Sequence, residues 1–346
     1  MYFPLMLQRA GWAAFLLGAA AWAAEAQLGE EIEVSRNRVN FSARFAFNVS
    51  ARVTSGPTSP NVPPIFDDGY VRTDASGNFG GKTWYWGYDH KDQLVNGNLE
   101  FHAANSPRDG TSEQFADDPH AGFEISYGRE LGRIALSKHV PLIWGVSGSF
   151  SSLDLELRHE DQVSGSVTRT TYRYPVGNIV VPLAPYQGSF YGPGPLLSTT
   201  LGPSGDTKVL PAVSDLAVSI SGLVYGLKVG PFAEVPLSKR LTIALGGGLA
   251  ALNSDVKLSY TETVTLPSDP DKSPPPVRSA SASHGKWMVG FYGNASLAFA
   301  LTDNSSVFLG GQYHHLDDLN LRAGTKSAVI GLGQVLEVTG GLRFTF

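Results

Sequence analysis

The sequence predicts an all-β fold: an antiparallel up-and-down transmembrane β-barrel of about eight strands with long extracellular loops. Three observations predict it. Long segments alternate apolar and polar residues with a period of two. The links between them run short and long by turns. The chain opens on an apolar leader, and no later run is long and apolar enough for a helical span.

The leader comes first. Arg9 supplies a positive start, an apolar run follows from Ala10 to Ala24, and Ala24-Glu25-Ala26 is an A-x-A cleavage pattern. The expected organisation is therefore a signal peptide over 1–26, a short periplasmic segment over 27–37 and a barrel over 38–346. Composition agrees with exported β-structure. Among 346 residues there are 39 Gly, 13 Tyr and 18 Phe, a mixture that suits strands and turns. The absence of cysteine removes disulfides and thiolate metal sites. A net charge of -5, with no basic stripe to neutralise phosphates, does not suggest nucleic acid as a partner, and none is expected.

The segments then follow in order. From Val39 to Val53 the odd positions are all apolar, including Phe41, Phe45 and Phe47, and the even ones carry Arg44 and Arg52. Ala121 to Leu131 sets Phe123, Ile125 and Tyr127 against Glu124 and Ser126. Leu142, Trp144, Val146 and Phe150 lead a strand whose parity shifts near Ser151-Ser152, as a β-bulge would cause. Leu223 to Val229 opposes Lys228. Leu241 to Leu249 passes through Gly246-Gly247-Gly248 and slips parity near Leu252. Trp287 to Leu301 and Val307 to His314 alternate clearly, and Leu332 to Phe346 repeats the pattern up to Phe346.

Alternation over such lengths implies lipid on one side and a lumen on the other, because backbone polar groups in hydrocarbon must be paired within a closed sheet. An eight-stranded lumen is only wide enough for side chains. Arg44, Arg52, Lys228 and Arg343, set against Glu124, Glu234 and Glu337, are expected to pair there into a charge network that plugs it. The long links fall at 54–120, 160–215 and 265–285. Residues 153–159 and 167–174 are expected to form a hairpin above the membrane, turning at Ser164-Gly165-Ser166. Trp144 and Trp287 are expected at the membrane interfaces.

The leader, the alternation and the ending Gly340-Gly341-Leu342-Arg343-Phe344-Thr345-Phe346 resemble the small eight-stranded outer-membrane barrels, the group that includes the OmpA-type membrane domain, OmpX and OmpW. The resemblance implies residence in the bacterial outer membrane and contact with its lipids. It also implies that Leu342, Phe344 and Phe346 act as the signal read by the barrel-assembly machinery.

The candidate sites each have a plain reading beside the functional one. Trp84, Tyr85, Trp86 and Tyr88 could form a loop surface for an extracellular ligand, or could simply pack the loop. Asp67, Asp68 and Asp74, with Asn78, do not match a calcium-loop spacing and read as a turn. His314 and His315 lie near the outer end of a strand, but the His-x-Ser of membrane-barrel lipid hydrolases is absent, so they read as rim histidines. The sequence thus points to no catalytic residue, no metal and no cofactor. The function it favours is a structural or surface-interaction role with a plugged lumen. The alternatives are an OmpW-like conduit for small apolar molecules, a lipid hydrolase and a soluble sandwich. The sandwich would place Phe45, Phe291 and Phe344 in a dry interior.

Overall fold

The computed structural model describes residues 36–57, 65–137, 140–202, 206–268 and 277–346. The expected signal peptide lies outside the described residues, as does nearly all of 27–37.

Eight strands close a ring. They are β1 (Asn37–Phe47), β2 (His120–Ser137), β3 (Val140–Pro175), β4 (Thr207–Pro236), β5 (Leu241–Thr265), β6 (Val277–Ala300), β7 (Ser305–His315) and β8 (Val335–Thr345). Each pairs antiparallel with the next, and β1 returns to β8 in the register Arg38↔Thr345 to Phe47↔Leu336. Closure leaves no open edge in this part of the sheet, which hydrocarbon demands. The closing seam is tight: a Cβ on Gly341 would lie 1.9 Å from the Phe41 carbonyl oxygen, so the position requires glycine.

A membrane crossing needs roughly 9–11 residues of tilted strand. β3 has 36 residues and β4 has 30, so both continue far beyond the membrane. β3 is unbroken from Val140 to Pro175 and pairs continuously with β4 from Ile143↔Glu234 to Thr170↔Thr207. The expected hairpin at Ser164-Gly165-Ser166 therefore does not form. The alternating polar and small residues there have a ready partner in β4, and a long-range ladder replaces the local turn.

The other half of the ring behaves differently. β1 stops at Asn48, which adopts φ 63, and the chain restarts as Ser50–Ser55 in another sheet. Asp118 accepts hydrogen bonds from the Asn48 and Val49 amides at 2.8 and 3.3 Å, and Asn48 donates to the Gln334 carbonyl at 2.9 Å. The chain also leaves regular strand around Asp117-Asp118 and Leu316-Asp318, and Ser112–Ala116, Leu319–Ala323 and Lys326–Gly331 complete a four-stranded sheet with Ser50–Ser55. This sheet faces the extended parts of β3 to β6 across a shared dry core. Val49, Ala51 and Val53 meet Leu155, Leu157, Ile220, Leu258, Leu321 and Ile330 there. A β-structured head thus stands on the barrel.

The head explains the two parity slips. In β5 the outward residues are Ile243, Leu245 and Leu249, then Asp255 and Lys257, all odd; the inward ones are even throughout. In β3 Trp144, Val146 and Phe150 point outward, and so do Asp154, Glu156 and Arg158. The strands do not slip. Their interior changes from polar to apolar where lipid outside gives way to water. The expected bulge at Ser151-Ser152 is absent from both ladders; the shifts in the β2–β3 pairing fall at Glu130/Gly132 and Ala135/Ser137.

Candidate functional site

The outer surface of the ring decides its surroundings. Phe45, Phe291 and Phe344 are 44%, 63% and 42% exposed, whereas Arg44 and Arg343, on the opposite face, are 3% and 8% exposed. Ile125, Val146, Leu245, Val289, Leu309 and Leu342 extend the same apolar band around the ring. Exposing that much contiguous apolar surface to water would be prohibitive for a soluble chain. Trp144 and Trp287 lie exposed within the band, Trp287 close below the level at which Asp255 pairs with Gly285.

No family model matches the sequence, and no curated protein matches it. Solved structures similar to it are outer-membrane proteins. Ail, the attachment invasion locus protein of Yersinia pestis, solved with the heparin analogue sucrose octasulfate, is 11% identical with a TM-score of 0.26, covering 89% of this chain and 99% of that one. OprG of Pseudomonas aeruginosa is 8% identical, with a TM-score of 0.28 over 90% of this chain and 96% of that one. The outer membrane protease OmpT of Escherichia coli is 9% identical, with a TM-score of 0.27 over 92% of this chain and 99% of that one. It is the apolar band and the closed ring that put this chain in a membrane. The chain is a transmembrane β-barrel.

Inside the barrel, charged side chains meet across the lumen. Arg44 pairs with Glu337, which is 2% exposed and also accepts from Gln312 Nε2 at 2.9 Å; His314 Nε2 lies 3.2 Å from the same carboxylate. Lys228 donates to Glu124 and, at 2.8 Å, to Gln312 Oε1. Nearer the end with the short turns, Arg38 and Arg343 both hold Glu234 Oε1, and Arg343 donates to Asn40 Oδ1 at 3.0 Å. The Arg38 guanidinium also lies 3.4 Å from the centroid of the Phe232 ring. Of the seven charges expected in the lumen, six are brought together: Arg44, Glu124, Lys228, Glu234, Glu337 and Arg343.

Arg52 is not among them. It stands exposed on the head and donates to Gln114 at 3.2 Å. Its even position was lumenal only on the premise of one continuous strand, and the break at Asn48 exchanges the faces. Arg38 belongs to the lumen and lies one residue before the segment read as alternating; its even parity is the signal that finds it. His314 points inward as its parity requires, and only His315, with Nδ1 2.9 Å from the Gly333 carbonyl, is a rim histidine bonded to a loop.

Above the lumen the head has its own polar lock. Arg108 is wholly buried; it bonds the Asp161 carbonyl at 2.7 Å, Ser214 Oγ at 3.1 Å and the carboxylates of Asp161 and Glu113. Lys326 lies 2.8 Å from Glu262 and donates to Ser55 at 2.8 Å. Burial opposes the Glu262 charge, but Lys326 and the hydroxyls of Ser106 and Ser214 outweigh it and hold that carboxyl below the usual range. No sequence pattern marks Arg108, which sits in an irregular stretch of the first loop.

At the tip, the first two long loops build a crown. Trp86 and Tyr88 are its core, packed with Phe66, Phe101, Tyr174 and Leu197, and Trp86 Nε1 donates to the Pro195 carbonyl at 2.7 Å. They are not available as a surface; burying two large rings is what orders an otherwise irregular loop. Trp84 and Tyr85 remain half-exposed, and Phe79 and Tyr191 stand 87% and 82% exposed. Asp67, Asp68, Asp74 and Asn78 serve the crown's backbone: Asp68 takes the His102 amide at 2.8 Å and its ring at 2.6 Å, Asp67 takes the Ala104 amide at 2.7 Å, and Asp74 takes those of Ser76 and Trp84. Leu342, Phe344 and Phe346 line up on the outer face at the end of β8.

Proposed function

We propose that this barrel is a sealed, non-enzymatic outer-membrane anchor that holds a rigid β-structured head at the cell surface for envelope integrity or surface interaction. The observation that carries the reading is the double filling of its axis. A layer of paired charges occupies the membrane-embedded lumen, and a dry core of Leu155, Leu157, Ile220, Leu258 and Ile330 fills the head directly above it. Ions or apolar solutes would have to displace both. The exposed rings of the crown supply the contact surface, and the outward Leu342, Phe344 and Phe346 act as the signal for the assembly machinery. A hydrolase reading gains nothing from His314, which is buried against Glu337.

The test is single-channel recording in planar bilayers with the folded full-length protein. The expected result is no conductance above the bare bilayer, together with protection of the head from protease on intact cells. Stable conductance steps, or uptake of an apolar solute dependent on the protein, would overturn the proposal in favour of a conduit.

A further inference from the structure

Most charges of the lumen and its mouth pair one to one: Arg44 with Glu337, Lys228 with Glu124 and Arg133 with Glu130. Arg38 and Arg343 instead share one oxygen of Glu234. Two guanidinium groups on one carboxylate in a medium of low dielectric repel each other, and a second anion beside them would be strongly favoured.

A cavity of about 180 Å³ opens beside this pair, at the end of the barrel that carries the short turns. Arg36, Arg38, Arg133 and Arg343 line it, with the hydroxyls of Thr242 and Ser306. Of its acidic neighbours, Glu130 is held by Arg133 at 2.5 Å, Glu234 is the shared carboxylate, and Asp303 is exposed at the rim. The lining is thus rich in planar N–H forks and hydroxyl donors, the groups that match a tetrahedral oxyanion. We propose that the periplasmic mouth of the lumen binds a phosphate group, which supplies Arg38 and Arg343 with a second anion. The mouth opens at the level of the inner leaflet, so the group can come from free phosphate or from a phospholipid headgroup.

The experiment uses the full-length protein folded in maltoside micelles and reads the midpoint of its heat-modifiable gel mobility. Sodium phosphate is titrated against sodium chloride at constant ionic strength. The expected result is a saturable rise of the midpoint with phosphate alone. Arg343→Gln leaves Arg38 and Glu234 one to one, so it folds and loses the rise. Arg36→Gln, at an exposed position, weakens half-saturation by about tenfold, the loss of one charge-assisted contact. Doping the micelles with short-chain phosphatidylglycerol distinguishes the sources: saturation at far lower concentration than free phosphate assigns the headgroup. The proposal falls if phosphate and chloride act alike, or if Arg343→Gln responds as the parent does.

Discussion

Glu337→Gln is the perturbation that most directly interrogates the plug. The carboxylate is 2% exposed and, among the described residues, is the anion paired with Arg44, itself 3% exposed. Neutralising it leaves a buried guanidinium uncompensated. The loss spreads, because Gln312 donates to Glu337 at 2.9 Å while accepting from Lys228 at 2.8 Å. Breaking a buried pair from one side costs about 3–5 kcal/mol. The retained amide oxygen can still accept from Arg44, so the lower end, about 3 kcal/mol, is expected. Arg44→Gln should cost less, because Glu337 keeps its contacts with Gln312 and His314. The double variant should then be milder than the sum by roughly 1–3 kcal/mol, the coupling typical of residues in one network. Urea unfolding of the protein in phospholipid vesicles, followed by tryptophan fluorescence, measures all three. Single variants within about 0.5 kcal/mol of the parent, or a double variant equal to the sum, would refute the plug as a load-carrying network, since surface-like substitutions behave that way.

Three further outcomes test other levels of the structure. Ile220→Ala, at a fully buried position of the head core, should destabilise by about 2–5 kcal/mol through the cavity it leaves, read as earlier hydrogen exchange in the head; exchange unchanged there would contradict the dry core. Asn48→Val should cost about 1–2 kcal/mol, because φ 63 is hostile to a β-branched residue, while Asn48→Gly should fold with little penalty; equal stability of the two would remove the break between barrel and head. The Glu262 carboxyl is held below its ordinary value in the folded head, so its contribution is full above the unfolded value of about 4.3 and is lost as pH falls through the lowered folded value. Hydrogen exchange of the head from pH 7 downward should therefore show acid loosening that Glu262→Gln flattens.

The barrel was readable in the sequence wherever strands stay within the membrane. β6, β7 and β8 face lipid and lumen along their whole paired length below the head, so alternation reports their orientation directly, and Phe291, Leu309 and Phe344 point where parity puts them. The lumen charges were readable for the same reason. The crown was not. Trp86 and Tyr88 become its core only because two loops distant in sequence meet over Phe66 and Phe101, and an aromatic cluster in a loop looks alike whether it faces a ligand or its own chain. Arg108 was equally hidden, since its partners come from the loop, β3 and β4 together.

The two misreadings at the membrane boundary have one cause. Alternation records the environment of each face, not the course of the backbone. Above the lipid the environments exchange: water lies outside and a dry core lies inside. A strand that runs straight through must therefore change chemistry at constant parity, and β3 and β5 do so at Ser151 to Leu153 and at Ala250 to Leu252. A chain that keeps its chemistry must turn over, and the segment from Phe45 to Val53 does so at Asn48: its odd residues face lipid below the break and the head core above it. An apparent slip thus marked a continuous strand, and an unbroken pattern concealed a real break. Arg52 follows from the same rule, since the reversal that buries Val53 carries its neighbour out of the lumen line and into solvent.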